Sequence, residues 1–568
     1  MSQSRVWRAD VEAKTVKIQP VPDSWERLGG RGLIARILLD EVPPACDPLG
    51  SENKLIWAPG LLVGHRISSC DRISLGAKSP LTGGVKESNA GGMTGWMLSH
   101  LGMKALILEG RSPDDGVWVL CLNAEGGRFE RMDELAGLGA YEAAERLLER
   151  FGSDVGLSLI GPGGEMFLRS AGVLNVDKDH EPSRISARGG LGAVMGSKRV
   201  KAVVIDAAGG EAPEIADPVL FTAANKQYLE ALLAHPQTQT YADYGTAAMT
   251  AMSNEFGALP TRGYAAGTFE GAERIGGEYL RDLLLTRKGE GRTTHACMAG
   301  CAVRCSNVFA GEDGRKIVSP LEYETIALVG SNLGIDNLDA IARINRELND
   351  LGLDTIEIGA ALGVAARAGW MDFGDAERAL ELIAEMRAGS AIGRQLGNGA
   401  SATGEALGVE RIPAVKGQSL AAYDPRAVKG TGVTYATSPQ GADHTAGLTI
   451  RARIDHLDPE GQAELSRKAQ ISIAGYDTLG VCLFATFGFA KAPGAVRDLV
   501  KGRYGWDVDD AVLNQLGEET IQLERQFNQA AGFGPADDRL PAWMSTEPLP
   551  PHNSVFDVPE EDLDGVFD

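Results

Sequence analysis

The sequence predicts an α+β protein, with a β-rich N-terminal domain over residues 1–208 followed by two mainly α-helical domains, 209–400 and 401–568. Three observations carry this reading. Up to about residue 208, short apolar runs alternate with glycine-containing turns, the texture of strands. Beyond about 210, alanine, leucine and glutamate recur at helical spacing. A glycine-rich break at 389–404 divides the helical part in two.

Taken in order, strands are expected at 15–21, 54–57, 105–108 and 117–120. The first domain closes on the apolar stretch 199–206, a buried strand. Helices are expected at 338–348 and 376–386. The last domain is helical again, and after about 536 a proline-rich acidic tail either wraps the surface or stays partly disordered. One pattern repeats: N-D-L-G-L-D at 349–354 and D-T-L-G-V-C at 477–482, each after a helical stretch. Asp354 is placed to N-cap the next helix, with Glu357 in the capping-box position. Two copies of one hexapeptide suggest two equivalent halves of one ligand.

Composition narrows the function. Hydrophobic residues make up 43% and charged residues 23%, as in a globular protein with large cores. The net charge of −22 argues against nucleic acid as a partner, because phosphate selects basic surfaces. Seventy-two glycines suit tight turns and close backbone approach to a large buried ligand. No apolar run reaches the roughly 18 residues of a membrane span, and the first ten residues lack the apolar core of a secretory leader. Seven cysteines point to a reducing compartment, so a cytoplasmic location is expected.

Three of those cysteines, Cys297, Cys301 and Cys305, fall within nine residues, and Cys482 stands in the second hexapeptide. Three clustered thiols and a distant fourth suit an iron–sulfur cube. Chance burial and a tetrathiolate zinc site are the rivals, although zinc knuckles usually come as two close pairs. Two glycine-rich turns, 70–92 and 184–198, carry free backbone N–H groups beside Arg72 and Arg188. They read as anion cradles for a phosphate-bearing cofactor, or as plain tight turns. Neither has the spacing of a dinucleotide fingerprint or a P-loop.

Together, the segments 72–92 and 188–198, the run Glu322-Tyr323-Glu324-Thr325, the paired hexapeptides and the thiols resemble the aldehyde:ferredoxin oxidoreductases, which are tungsten-pterin enzymes. The resemblance spans about 28–530. It implies a tungsten or molybdenum ion held by two pterins, a 4Fe-4S cluster beside one of them and a magnesium ion. Cys297, Cys301, Cys305 and Cys482 match the cluster ligands, in a C-x3-C-x3-C spacing one residue longer at the first pair than in the best-known members. Asn89 and the Gly189 carbonyl match the magnesium site that bridges the pterin phosphates. Arg72, Gly91, Arg188, Gly190, Asn349, Leu353, Asp354, Asp477, Val481 and Cys482 match pterin contacts, with Arg72 between cluster and pterin. Asn349 stands where the family has Asp. Ala446 replaces a pterin-binding lysine, for which Arg451 or Arg453 is the candidate substitute.

Glu324 and His444 match catalytic positions near the open side of the metal, and Thr355 matches another pocket position. The activity implied is oxidation of an aldehyde to a carboxylate, with electrons leaving through the cluster to ferredoxin or to a dedicated iron–sulfur subunit. The alternatives are a reductive enzyme of the same family acting on an acid or thioester, and a cofactor-bearing electron-relay subunit. A homodimer is left open. With no histidine between His295 and His444, an iron bridge between subunits through the middle domain is not expected. The tail is expected to be shorter than the family norm.

Overall fold

Short runs of branched apolar residues fold as two six-stranded mixed sheets. The first holds β1 (Arg5–Asp10), β2 (Thr15–Pro20), β3 (Leu55–Pro59), β4 (Ile73–Lys78), β5 (Val85–Ala90) and β6 (Met103–Glu109), in the order β2-β1-β6-β3-β4-β5. The second holds β7 (Trp118–Asn123), β8 (Gly126–Arg131), β9 (Gly156–Leu159), β10 (Val173–Asn175), β11 (Arg184–Ser186) and β12 (Val200–Ile205), in the order β11-β10-β9-β12-β7-β8. Each sheet has one parallel pair, β1 with β6 and β12 with β7. This computed structural model describes residues 4–567. Met1–Gln3, part of the leaderless reading, and Asp568 of the tail lie outside the described residues.

The sheets pack face to face. Trp7, Trp57, Leu75 and Leu106 from the first meet Leu120, Val203 and Ile205 from the second, and Trp57 Nε1 donates to Ser158 Oγ at 3.0 Å across the gap. Burial on both sides is why β6 and β12 read as continuous apolar runs rather than alternating ones. Helix α1 (Gly30–Glu41) covers the outer face of the first sheet, and α2 (Ala140–Phe151) that of the second. A strand-based reading passes over both helices and the short α3 (Leu191–Ser197). α1 begins in Gly-Arg-Gly, a poor helix former, and is held by packing rather than propensity.

The remainder is helical: α4 (Pro218–Ala234), α5 (Tyr323–Val329), α6 (Leu338–Leu351), α7 (Thr355–Arg367), α8 (Lys429–Thr437), α9 (Gln462–Leu479) and α10 (Val512–Ala530) build two apolar cores. Inside this part lies a small sheet of β13 (Arg292–His295), β14 (Ser306–Ala310) and β15 (Lys316–Val318). The three clustered cysteines occupy turns between β13 and β14.

One expectation is corrected, and of the two alternatives for the tail one is found. The glycine-rich break at 389–404 is two short helices, Ala391–Gly397 and Ala400–Leu407. Gly389 and Gly399 take positive φ at their boundaries, so the glycines punctuate helices there. The tail is an ordered wrap: Met544, Phe556, Val558, Leu563 and Val566 are buried in the same core as α8. Among the described residues, no single helix is long and apolar enough to cross a membrane.

Candidate functional site

The repeated hexapeptide is a helix stop. Gly352 and Gly480 take left-handed φ of 73° and 82°, directly after α6 and α9. Gly352 N donates to Asn349 O and Leu353 N to Leu348 O; Gly480 N donates to Asp477 O and Val481 N to Tyr476 O. This paired pattern is the Schellman cap, and only glycine enters that conformation cheaply. Each cap leaves Asn349 or Asp477 in the last helical turn, then reverses the chain to deliver Asp354 or Cys482. All four residues line one cavity of about 350 Å³.

Asp354 caps α7 through the Ile356 N–H (3.0 Å), and its other oxygen accepts from Arg188 Nε (3.2 Å). Glu357 does not complete a capping box. Its carboxylate turns away to accept from Ala400 N (2.9 Å), Ser419 N (2.9 Å) and Ser419 Oγ (2.8 Å), because a full set of donors is available there. Asp477 sits at the negative end of α9, which disfavours a carboxylate. Arg31 at 3.3 Å and the Asn89 amide at 3.1 Å offset this. Arg31 is itself clamped by the buried Glu524 through two hydrogen bonds of 2.8 and 2.9 Å. Burial still pushes Asp477 up to about 6. In the same core burial and Asp477 raise Glu87, whose Oε1 has no hydrogen-bond partner, to about 8.

Three of the candidate thiols, Cys297, Cys305 and Cys482, line this space, and Cys301 stands behind them. Cys482 N donates to Ser69 O (2.9 Å), Ser69 Oγ lies 3.2 Å from Cys301 Sγ, and Arg72 Nη1 stands 3.9 Å from Cys482 Sγ. Gly91 leans on Cys297: a Cβ there would lie 2.8 Å from the sulfur. Burial pushes the Cys297 thiol up to about 12, and burial together with the neighbouring thiols raises Cys305 and Cys482. Such thiols ionise when a metal takes them as ligands. Among the described residues, no three His, Cys, Asp or Glu donors converge on a single ion.

Glu324, in the first turn of α5, and His444 line the same cavity. Glu324 Oε2 accepts from Ala422 N at 2.8 Å, and His444 Nε2 approaches Oε1 to 3.3 Å. Glu324 Oε1 and His444 Nδ1 have no hydrogen-bond partner. Burial raises the Glu324 pKa against the opposing charges of His444 and Arg188. Thr355 completes this side, its hydroxyl 2.8 Å from that of Thr325. The rest of the lining is largely apolar, with Tyr241, Met249, Tyr423, Leu448 and Phe484.

Of the other sequence-predicted residues, Arg72, Asn89, Gly91, Leu353, Cys297 and Cys305 also line the cavity, whereas Arg188, Gly189, Gly190, Val481 and Cys301 stand behind it. Asn89 Oδ1 accepts from Arg72 Nε, and the Gly189 carbonyl from Ser79 Oγ at 2.7 Å. Arg451 bonds the Tyr241 hydroxyl (3.1 Å) and contacts the Met249 sulfur, two residues that line the cavity. Arg453 is exposed. A lysine does reach this loop from the other side. Lys86 Nζ donates to Asp443 at 2.6 Å, beside His444. Burial disfavours the Asp443 charge, but Lys86 and Arg188 outweigh it and hold the carboxyl far below its usual range. Gly189 (φ 84°) makes room, since a Cβ there would strike the Lys86 side chain at 2.3 Å. Sequence reasoning missed Lys86, Asp443, Arg31 and Glu524. The signal available was two charges, Lys86 and Glu87, in a strand of an otherwise apolar sheet, and an arginine inside a glycine run.

Comparison with known proteins follows this geometry. A family profile described as "Aldehyde ferredoxin oxidoreductase, N-terminal domain" matches residues 6–207, and one described as "Aldehyde ferredoxin oxidoreductase, domains 2 & 3" matches 223–566. The tungsten-containing aldehyde ferredoxin oxidoreductase of Thermococcus kodakarensis is 31% identical over 96% of this chain and 92% of its own length. The "Aliphatic sulfonate oxidoreductase, WOR-like subunit" of Pyrococcus furiosus is 26% identical over 95% and 89%. Among solved structures, a chain of "Active site complex BamBC of Benzoyl Coenzyme A reductase in complex with 1,5 Dienoyl-CoA" superposes with a TM-score of 0.79. It is 20% identical and covers 95% of this chain and 91% of that one, a likeness of fold.

Proposed function

The chain belongs to the aldehyde ferredoxin oxidoreductase family, and from that premise we propose that it oxidises an aldehyde to a carboxylate and passes the electrons through a 4Fe-4S cluster to a ferredoxin-like acceptor. The observation that carries this is one shared cavity: Cys297, Cys305 and Cys482 line it, with Cys301 behind them, and so does the Glu324–His444 pair. A tungsten or molybdenum bis-pterin, when bound, supplies the two-electron acceptor for the aldehyde.

The residues fit that group. Asp477 and Asp354 offer carboxylate oxygens to the N–H groups of a pterin, Asn349 offers an uncharged amide, and Gly91 lets the chain pass close. Arg72, in contact with Asn89 and near Cys482, would stand between a bound pterin and the thiols. A magnesium ion between Asn89 and Gly189 requires both groups to exchange their present partners.

In the reaction an aldehyde and a water become a carboxylic acid, two protons and two electrons. Glu324 and His444 line the cavity, and Glu324 Oε1 and His444 Nδ1 are buried beside it without a hydrogen-bond partner. Glu324, raised by burial, takes a proton as oxygen adds to the carbonyl. His444, 3.3 Å away, holds that proton in exchange with Glu324 and orients the carbonyl. The apolar lining excludes water and receives the organic part of the substrate.

A reductive reading, with an acid or thioester as substrate, uses the same residues in reverse. The lining holds no cysteine apart from Cys297, Cys305 and Cys482, so a further thiol near the metal is not available to such a reaction. The test is metal analysis of anoxically purified protein, followed by a panel of aldehydes with benzyl viologen. About one tungsten or molybdenum and four irons per chain, with aldehyde-dependent viologen reduction, is expected. Zinc in place of these metals, or no aldehyde turnover, overturns the reading.

A further inference from the structure

The loop that carries the clustered thiols lies at the surface: Ala299, Gly300 and Arg304, between Cys297 and Cys305, are exposed. Three stretches of chain meet there. Ala302 N donates to Ser68 Oγ at 2.9 Å, and Cys482 N to Ser69 O at 2.9 Å. Helix α4 ties their margins together, through Asn225 to the Arg66 carbonyl (3.1 Å) and Gln227 to the Pro493 carbonyl (3.2 Å).

The charge of these stretches departs from that of the chain. Asp and Glu number 77 in 568 residues, yet none occurs in 53–70, 291–311 or 478–497, the stretches that carry Ser68, the clustered cysteines and Cys482. Burial explains part of this, but the exposed positions are basic rather than neutral. Arg66, Arg304 and Lys491 are all exposed, and among the described residues none of the three forms an ion pair. Arg292 at the edge is shared with Asp179 at 3.5 Å, and Lys226 on α4 with Glu230 at 3.8 Å.

We propose that this face is the docking surface of the electron acceptor, and that the acceptor is a small acidic iron–sulfur protein. The proposal rests on the electron route given above. A molecule of net charge −22 repels an acidic partner except where its own cations gather. Arg66 lies two residues before Ser68, Arg304 next to Cys305, and Lys491 on the stretch that follows Cys482, so the exposed cations belong to the three stretches that hold the thiols and attraction is placed at the electron exit. Each docking removes one electron. Oxidation of one aldehyde, with water giving the oxygen and two protons leaving, therefore needs two oxidised partners in turn.

The test compares wild-type holoenzyme with Arg66→Glu/Arg304→Glu and with Lys491→Glu. The acceptors are an acidic two-cluster bacterial ferredoxin and benzyl viologen. The expected result is a rise of about tenfold or more in KM for ferredoxin at low ionic strength, a flattened salt dependence, and unchanged kcat with viologen. Viologen turnover also shows that the variants are folded and loaded. Ferredoxin KM and salt response equal to wild type in both variants would falsify the docking surface. Wild-type enzyme inactive with viologen would instead strike the proposed reaction. In that case ferredoxin binding, measured by biolayer interferometry at low and high salt, still decides the surface: binding insensitive to charge reversal, or absent, overturns it.

Discussion

Replacing Glu324 by glutamine separates the chemistry of this side chain from its packing. The amide keeps the volume, and its oxygen still accepts the Ala422 N–H that now lies 2.8 Å from the carboxylate. What it loses is the capacity to take a proton. A positioned general base contributes about 10²–10⁴ in rate, or about 3–5 kcal/mol of transition-state stabilisation. A loss of that size is expected in kcat/KM for aldehyde, with viologen as acceptor so that the protein partner is not limiting. The pH profile gives a second readout. Burial raises the Glu324 pKa, so the carboxylate appears only above the ordinary glutamate value of about 4.3. Wild-type kcat/KM should climb with pH through that raised value, and the climb should vanish in Glu324→Gln. Stability moves the other way. A carboxyl raised on folding favours the folded state below the unfolded pKa, and that advantage is lost as pH rises through the folded pKa. At neutral pH the amide relieves a buried charge with one unpartnered oxygen, so the melting temperature of the variant should not fall. Turnover within about twofold of wild type refutes the base role, and activity lost only in step with stability shows a structural role instead.

Three further outcomes follow from the same geometry. Arg31→Met leaves Glu524 and Asp477 buried without their cation and should cost about 3–5 kcal/mol in denaturant unfolding, most of it recovered in Arg31→Met/Glu524→Leu. In Gly91→Ala the new Cβ would meet the Cys297 sulfur at 2.8 Å; iron per chain should drop while the melting temperature stays near that of wild type, and unchanged iron content would speak against Cys297 as a ligand. Deleting 556–568 removes Phe556, Val558, Leu563 and Val566 from the core around α8. At about 1.5–3 kcal/mol for each fully buried large apolar side chain, thermal unfolding should shift markedly downward, and an unchanged transition would show that the tail adds nothing to stability.

What could be read from the sequence was what lies close along the chain. The strands at 54–57, 105–108 and 199–206 and the helices at 338–348 and 376–386 come from period and run length, and β3, β6, β12, α6 and the helix Ala376–Ala388 stand there. The hexapeptides were visible because a helix cap needs its glycine at a fixed offset, whatever the cap is used for. Partners far apart were not visible. Arg31 and Glu524 lie 493 positions apart, and Lys86 and Asp443 lie 357 apart. No local pattern marks either end of such a pair. Glu357 shows the opposite failure: the capping-box spacing is present, but the donors at Ala400 and Ser419 claim its carboxylate, and tertiary structure overrides the local rule.

The strand of chain from Ser68 to Ser69 links the cysteine loop to Cys482, and it comes from the first sheet domain. The fourth thiol is therefore set by residues that come much earlier in the chain, and it follows the third by more than the length of a small domain. A growing polypeptide cannot present the complete thiol set until α9 has emerged and docked on the N-terminal half. Domains fold as they leave the ribosome, so the early sheets wait with an unfinished wall. Loading of the proposed metal cluster would therefore wait until the chain through Cys482 has folded, and would report that the distant parts of the protein have found one another.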